Sequence, residues 1–281
     1  MTLCLAMKYD KGVLVMADTE SVYFSGRLSD ITKLSTFRNN VAFSISGRLS
    51  RGQKFIRFMN DVSVHVDNEV RDLSHSSKNE KYNTPQTFLR SLKKDEHDIV
   101  VRYRTKNKLG FYLKEKKDQA LSNSLQLYST GDSLESYVNS CADFAGELIN
   151  KNSMDDISVL FAGIDKLGHF IKLVNSDSGE ITTRVEAYYA ISGAGSEIAT
   201  TIMEIFYKET ITEDQALLLA FYIGVQCEKL IIGVNKKFTA ITIREKENGY
   251  IERRVVSARK IDALTKVAEN INPNFPFRLA K

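Results

Sequence analysis

The 281-residue sequence holds only three cysteines, Cys4, Cys141 and Cys227, spread along the whole chain. So few thiols so far apart do not make a disulfide frame; they fit buried free thiols in a reducing compartment. Three prolines and 15 glycines exclude a collagen-like chain. No apolar run reaches the roughly 18 residues that a membrane-spanning helix needs. The opening MTLCLAMKYDKGVLV carries Lys8, Asp10 and Lys11 and has no apolar stretch long enough for a signal peptide. These absences lead to the expectation of a cytoplasmic protein with no membrane partner. The charge excess is small, 39 Lys and Arg against 35 Asp and Glu, and does not argue for a nucleic-acid partner. The phosphate-cradling GxxxxGKS/T, the metal-binding HExxH, CxxC and the nucleophile elbow GxSxG are all missing. His65, His75, His97 and His169 stand at no ligand-like spacing, so no metal site is expected.

What remains is ordinary globular composition, 43% hydrophobic and 26% charged. A chain of this length buries roughly 75% of the surface it exposes when unfolded, enough for a core without staples. Leu3, Leu5, Met7 and Tyr9 alternate with Cys4, Ala6 and Lys8, the period of a strand. Asp10-Lys11-Gly12 supplies a turn, and Val13 to Ala17 reads as a strand covered on both faces. Val41 to Ser46 is the next strand. Phe55, Met59, Val62, Val66 and Val70 recur at helical spacing, as do Leu134, Val138, Cys141, Ala145 and Leu148. Between those helices, about 74–129 is dense in Lys, Ser and Asn and reads as a basic insertion with a solvated face.

Strand signals follow at Ile157 to Ile164, His169 to Val174, Glu180 to Glu186 and Tyr188 to Ile191, joined by hairpin-length turns that imply antiparallel pairing. Two helices are predicted near Glu197 to Lys208 and from Glu213 to Leu230, the second opened by a Thr212/Gln215 capping box. Phe238 to Arg244 and Tyr250 to Val256 form a last hairpin, and a basic tail runs over about 258–281. Segregated antiparallel strands and helix pairs indicate an α+β fold in one domain. Two helix pairs covering a two-sheet stack would make a four-layer αββα sandwich.

The chemistry sits at the N-terminus. Once Met1 is removed, Thr2 carries a hydroxyl and a free α-amine on one residue. That amine has a reference pKa of about 8, so its neutral form can act as general base for the neighbouring hydroxyl. Gly193-Ala194-Gly195-Ser196, placed before a helix, reads as a tight strand-to-helix turn more simply than as a phosphate loop.

The segment TLCLAMKYDKGVLVMAD resembles the opening of proteasome β-subunits and of the peptidase subunit of a bacterial ATP-dependent protease. Its Thr-x-Cys start is also similar to that of bacterial proteasome-like proteins such as Anbu. All are N-terminal-nucleophile hydrolases. The likeness continues through Lys33, the strand Val41 to Ser46 and Gly47, and resumes at DISVLFAGIDKLGHFIKLVNSDSG and AISGAGSEIATTIMEI. It covers roughly 1–70 and 133–256 and implies the αββα fold.

The resemblance also implies threonine-type peptidase activity on unfolded protein or peptide, without metal or organic cofactor. Thr2 would be the nucleophile, and Lys33 would lower the pKa of its hydroxyl and amine. Asp18 would hold Lys33, and the Gly47 N–H would meet the oxyanion. As partners it implies further copies of this chain in a homo-oligomeric, self-compartmentalising ring, and it allows an ATPase unfoldase. The sequence departs from the pattern at Ala194 and Ile232, where serines are expected, and at Lys229, where an aspartate is expected; Gly233 fits. Ser192 and Ser196 are the candidates for the missing hydroxyl support. A catalytically inactive subunit, serving as ring scaffold or partner-binding module, is the alternative.

Overall fold

The computed structural model describes residues 2–19, 21–23, 26–28, 31–37, 41–47, 52–53, 55–56, 157–165, 168–177, 180–231, 234–235, 237–246 and 251–271. The proposed insertion at about 74–129 and the helix proposed around 134–148 lie outside the described residues, as does most of the one over 55–70.

Among the described residues, twelve strands run β1 (Leu3–Tyr9), β2 (Gly12–Asp18), β3 (Ser21–Tyr23), β4 (Gly26–Leu28), β5 (Leu34–Phe37), β6 (Val41–Gly47), β7 (Ile157–Asp165), β8 (Gly168–Asp177), β9 (Glu180–Glu186), β10 (Tyr189–Gly193), β11 (Phe238–Glu245) and β12 (Ile251–Val255). The helices are α1 (Ser196–Phe206), α2 (Glu213–Leu230) and α3 (Ala258–Asn270). Sheet 1 has the order β10-β1-β2-β11-β12, sheet 2 the order β5-β6-β7-β8-β9, and β3 and β4 pair by themselves. The pairings within sheet 1 are antiparallel, as are β5 with β6, β6 with β7 and β8 with β9. Contacts divide the chain into two compact units. The first comprises Met1–Ile56, Ile149–Ile164 and Gly168–Lys281 and holds both sheets except Asp165, the last residue of β7.

The central strands of sheet 1 are apolar on both faces, but the faces differ in size. Leu3, Leu5, Met7, Tyr9, Leu14, Met16 and Phe238 point to the helices and pack with Met203, Leu217, Phe221 and Val225. Cys4, Ala6, Val13, Val15 and Ala17 point to the other side, against Leu34, Ala42, Leu160, Ala162, Ile164 and Ile171 of sheet 2. Burying a Leu or Met fully contributes about 1.5–3 kcal/mol, so the large-residue face anchors the helices. The small-residue face lets the two sheets approach. The capping box is present: Thr212 Oγ1 accepts from the Gln215 N–H at 3.4 Å, and Gln215 Oε1 accepts from the Thr212 N–H at 3.0 Å.

The four-layer αββα expectation is corrected. The described residues are mostly β, two antiparallel five-stranded sheets with the three short helices α1 to α3. Those helices form one layer on sheet 1, and the described residues on the far side of sheet 2 add only the helical residues 52–53 and 55–56. On sheet 2 the rings of Phe43 and Phe161 meet each other tilted and Phe55 edge-on, with centroids 5.8–6.3 Å apart. Residues 258–270, expected as tail, form α3, whose Ile261, Leu264 and Ala268 pack on the core that α2 fills. Among the described residues no helix is long and apolar enough to cross a membrane.

Helix α2 meets sheet 1 closely at Gly224, where an added Cβ would lie 2.6 Å from the Phe238 ring. Gly224→Val is therefore expected to lower stability by about 1–3 kcal/mol through overpacking. Urea denaturation of the variant beside the parent chain measures it.

Candidate active site

Thr2 immediately precedes β1, which lies between β2 and β10 with Cys4 opposite both Ala17 and Ser192. This register brings the end of β2 beside the start of β1, and the Leu3 N–H donates to Asp18 Oδ1 at 3.0 Å. Lys33 stands just before β5, and its carbonyl accepts from the Ile45 N–H of β6 at 3.0 Å. With its backbone held there, Lys33 Nζ donates to Thr2 Oγ1 at 2.9 Å and to Asp18 Oδ1 at 2.9 Å. All three residues are buried: Thr2 is 5% exposed, Asp18 0% and Lys33 5%.

This arrangement has definite chemical consequences. An ammonium that donates to a hydroxyl oxygen stabilises the alkoxide over the alcohol, more strongly where water is excluded. Because Thr2 Oγ1 accepts from Lys33, its own proton is directed to a different acceptor. Asp18 neutralises Lys33 and, by also taking the Leu3 N–H, ties the cation to the backbone of the residue after Thr2.

Gly193 ends β10 opposite Leu3 with φ +100°. A Cβ there would stand 2.0 Å from the Thr2 carbonyl oxygen, so the backbone of β10 closes directly on Thr2. Gly195 leans on the next residue: its Cβ would lie 3.2 Å from Leu3 Cδ1, and the Cys227 thiol of α2 donates to the Gly195 carbonyl at 3.5 Å. The sequence Gly193 to Ser196 is thus a strand-to-helix turn packed on the N-terminal segment.

A set of small polar groups lies inside the two sheets nearby. Ser46 Oγ donates to Ser192 Oγ at 3.0 Å, and both residues are buried. Burial pushes the Cys4 thiol up to about 12, while the Ser44 and Ser192 hydroxyls beside it act in the opposite direction. Cys4 is accordingly a neutral, wholly buried thiol and no nucleophile.

Of the residues singled out by sequence, Thr2, Asp18 and Lys33 come together through direct hydrogen bonds. Gly47 ends β6, exposed, with φ +108°, and follows directly on Ser46. Ser192 contacts Ser46, while Ser196 is the first residue of α1. Ala194 and Lys229 are both exposed, Lys229 in the last turn of α2; Ile232 and Gly233 lie outside the described residues. Among the described residues no cluster of three or more His, Cys, Asp or Glu is placed to hold a metal ion.

Sequence reasoning missed Ser46 and the steric role of Gly193; Cys4 is the buried free thiol that was expected. The available signal was Ser44 and Ser46 at alternate positions of an otherwise apolar strand, two hydroxyls committed to one buried face. No family model matches this chain, and no curated protein gives a match.

Gly193→Ala combines a left-handed φ with a Cβ driven into backbone and is expected to cost about 1–3 kcal/mol. Gly195→Ala, whose nearest contacts are side-chain atoms at 3.1–3.4 Å, is the milder control. Denaturation midpoints of the two variants check the order.

Proposed function

We propose that this chain is a threonine-type amide hydrolase whose nucleophile is the Thr2 hydroxyl, exposed to catalysis by removal of Met1. The observation that supports it is the buried contact of Lys33 Nζ with Thr2 Oγ1 at 2.9 Å, completed by Asp18. Thr2 Oγ attacks the carbonyl carbon of a peptide bond, and its proton passes to the free Thr2 amine. The carbonyl oxygen becomes an oxyanion that the Gly47 N–H receives. The intermediate collapses as the amine returns the proton to the leaving nitrogen, and an ester of Thr2 remains. Water, deprotonated by the same amine, then hydrolyses the ester and frees the acid. Lys33 stabilises the alkoxide character of Thr2 Oγ throughout and is not consumed. The substrate class is unfolded protein or peptide, in a homo-oligomeric, self-compartmentalising assembly such as the resemblance to proteasome-like hydrolases implies.

The second reading, a non-catalytic subunit of the same kind, is favoured by Lys229, which is exposed where an acidic supporting residue was expected. The state of the N-terminus separates the two. Intact mass and N-terminal sequencing of the purified protein are expected to show Thr2 as the first residue. A hydroxyl-directed electrophilic peptide probe is expected to label it. A retained Met1 together with no labelling overturns the hydrolase.

Thr2→Ala is expected to abolish peptide turnover and probe labelling while lowering stability by about 1.5–3 kcal/mol, the worth of one hydrogen bond to a charged group. Lys33→Ala also loses turnover, but it strips a buried carboxylate of its cation and is expected to cost about 3–5 kcal/mol. Parallel rate assays and thermal melts of both variants read the contrast. Full turnover in Thr2→Ala removes Thr2 as nucleophile.

A further inference from the structure

Ser46 and Ser192 come from different sheets, yet their hydroxyls meet at 3.0 Å in a buried position. Each is followed by a glycine with positive φ, Gly47 at +108° and Gly193 at +100°. Gly193 lies against the Thr2 carbonyl, and Gly47 is the residue whose N–H the proposed mechanism assigns to the oxyanion. The same short motif, a buried Ser followed by Gly at the end of a strand, thus occurs in both sheets. Away from it, the inner faces of the sheets meet through Ala6, Val15, Ala42, Leu160 and Ile171. Apolar contact of that kind is non-directional and sets no fixed register between layers. A hydrogen bond fixes distance and angle.

We infer that the Ser46–Ser192 hydrogen bond is a clasp between the sheets that sets the spacing of the Gly47 N–H from Thr2, which makes both serines positioning residues for the hydrolysis. The inference rests on the reading of Thr2 as nucleophile and adds to it the means by which the two halves of the site are held in register. Sub-ångström placement governs such a reaction steeply, because the oxyanion donor acts only at hydrogen-bond distance from the intermediate. The clasp touches neither substrate nor reacting atoms.

The test is steady-state peptide hydrolysis by Ser46→Ala, Ser192→Ala and the double variant, joined to backbone hydrogen exchange. Each single variant is expected to lose roughly 10-fold or more in kcat, with KM changed less than about twofold. The double variant is expected to fall no further than either single, since one bond is removed in all three. It is also expected to fold at least as well as the singles, because it leaves no orphaned buried hydroxyl. Exchange is expected to quicken roughly fivefold at the Leu3 and Ile45 amides, which flank the clasp on either sheet and bond to Asp18 and Lys33. The Ala216 amide in α2 is expected to stay unchanged.

Unchanged kcat in both single variants, additive losses in the double, or uniform acceleration of exchange at all three amides overturns the clasp. Absence of any Thr2-dependent turnover in the parent chain overturns the nucleophile instead. The inter-sheet clasp is then decided by the exchange pattern alone.

Discussion

The ammonium of Lys33 sits 5% exposed between a carboxylate and a hydroxyl. Moving such a cation out of water costs several kcal/mol even after relaxation, and the carboxylate beside it costs as much again. Those penalties are offset only where geometry is good and the remaining polar atoms find partners. Here the ion pair closes at 2.9 Å, and Asp18 also receives the Leu3 N–H. Buried ion pairs of this kind are poor sources of stability, since apolar residues of equal volume often serve as well or better. A packing role therefore does not account for a lysine at this position. What the pair achieves that packing could not is to hold a positive charge against one particular hydroxyl, that of Thr2.

Holding it there makes demands on the layers around it. The two faces of sheet 1 divide by residue size, large toward the helices and small toward sheet 2. Sheets packed face to face ordinarily stand about 10 Å apart, with side chains interdigitated between them. Cys4, Ala6, Ala17, Ala42, Ala162 and Ala190 thin that layer. Two serine side chains, short as they are, can then reach each other across it. The bulky Leu5, Met7, Leu14 and Met16 meanwhile bind α2, whose Cys227 holds the glycine turn from behind. One alternation in β1 and β2 thus serves both stability and the site.

How much of this the sequence disclosed depended on length and period. Strands β1, β2, β6 and the hairpins from β7 to β10 were readable because alternation persisted and turn residues bounded it. The Thr212/Gln215 box was readable because capping is local chemistry. Strands β3 and β4 have three residues each, too few to show any period. Helix α3 was hidden because Arg259, Lys260 and Lys266 gave its segment the look of a basic tail, while its apolar stripe is only Ile261, Leu264 and Ala268. The layer count went wrong for a different reason. A strand apolar on both faces announces that both are covered and says nothing of whether a helix or a sheet covers them. The αββα assignment rested on two predicted helix pairs, one for each outer face, and on likeness; the three described helices α1 to α3 all lie on sheet 1. Thr2 stood out by its own chemistry, a hydroxyl beside a terminal amine, but Asp18 and Lys33 were joined to it by likeness, since no spacing rule links residues so far apart in the chain. The Ser46–Ser192 pair needed the tertiary register itself.

The departures at Ala194 and Lys229 read differently once the positions are known. Ala194 is the exposed middle of a turn whose two glycines are the parts in close approach to Thr2 and Leu3. A hydroxyl on that exposed residue would stand in contact with water, where hydrogen bonds to solvent compete with any directed role. The buried hydroxyl of this turn is two residues earlier, at Ser192, fixed by Ser46 and opposite Cys4 in register. Lys229 stands in the last turn of α2, where a cation complements the negative end of the helix, and that is sufficient reason for its charge. Polar support near Thr2 is therefore carried from the inner faces of the two sheets. Side chains set between packed sheets lose less to solvent and to rotamer freedom than side chains on a turn. The cost is that any change in the separation of the sheets reaches Thr2 and its neighbours directly, which ties the geometry of this candidate site to the integrity of the small-residue layer.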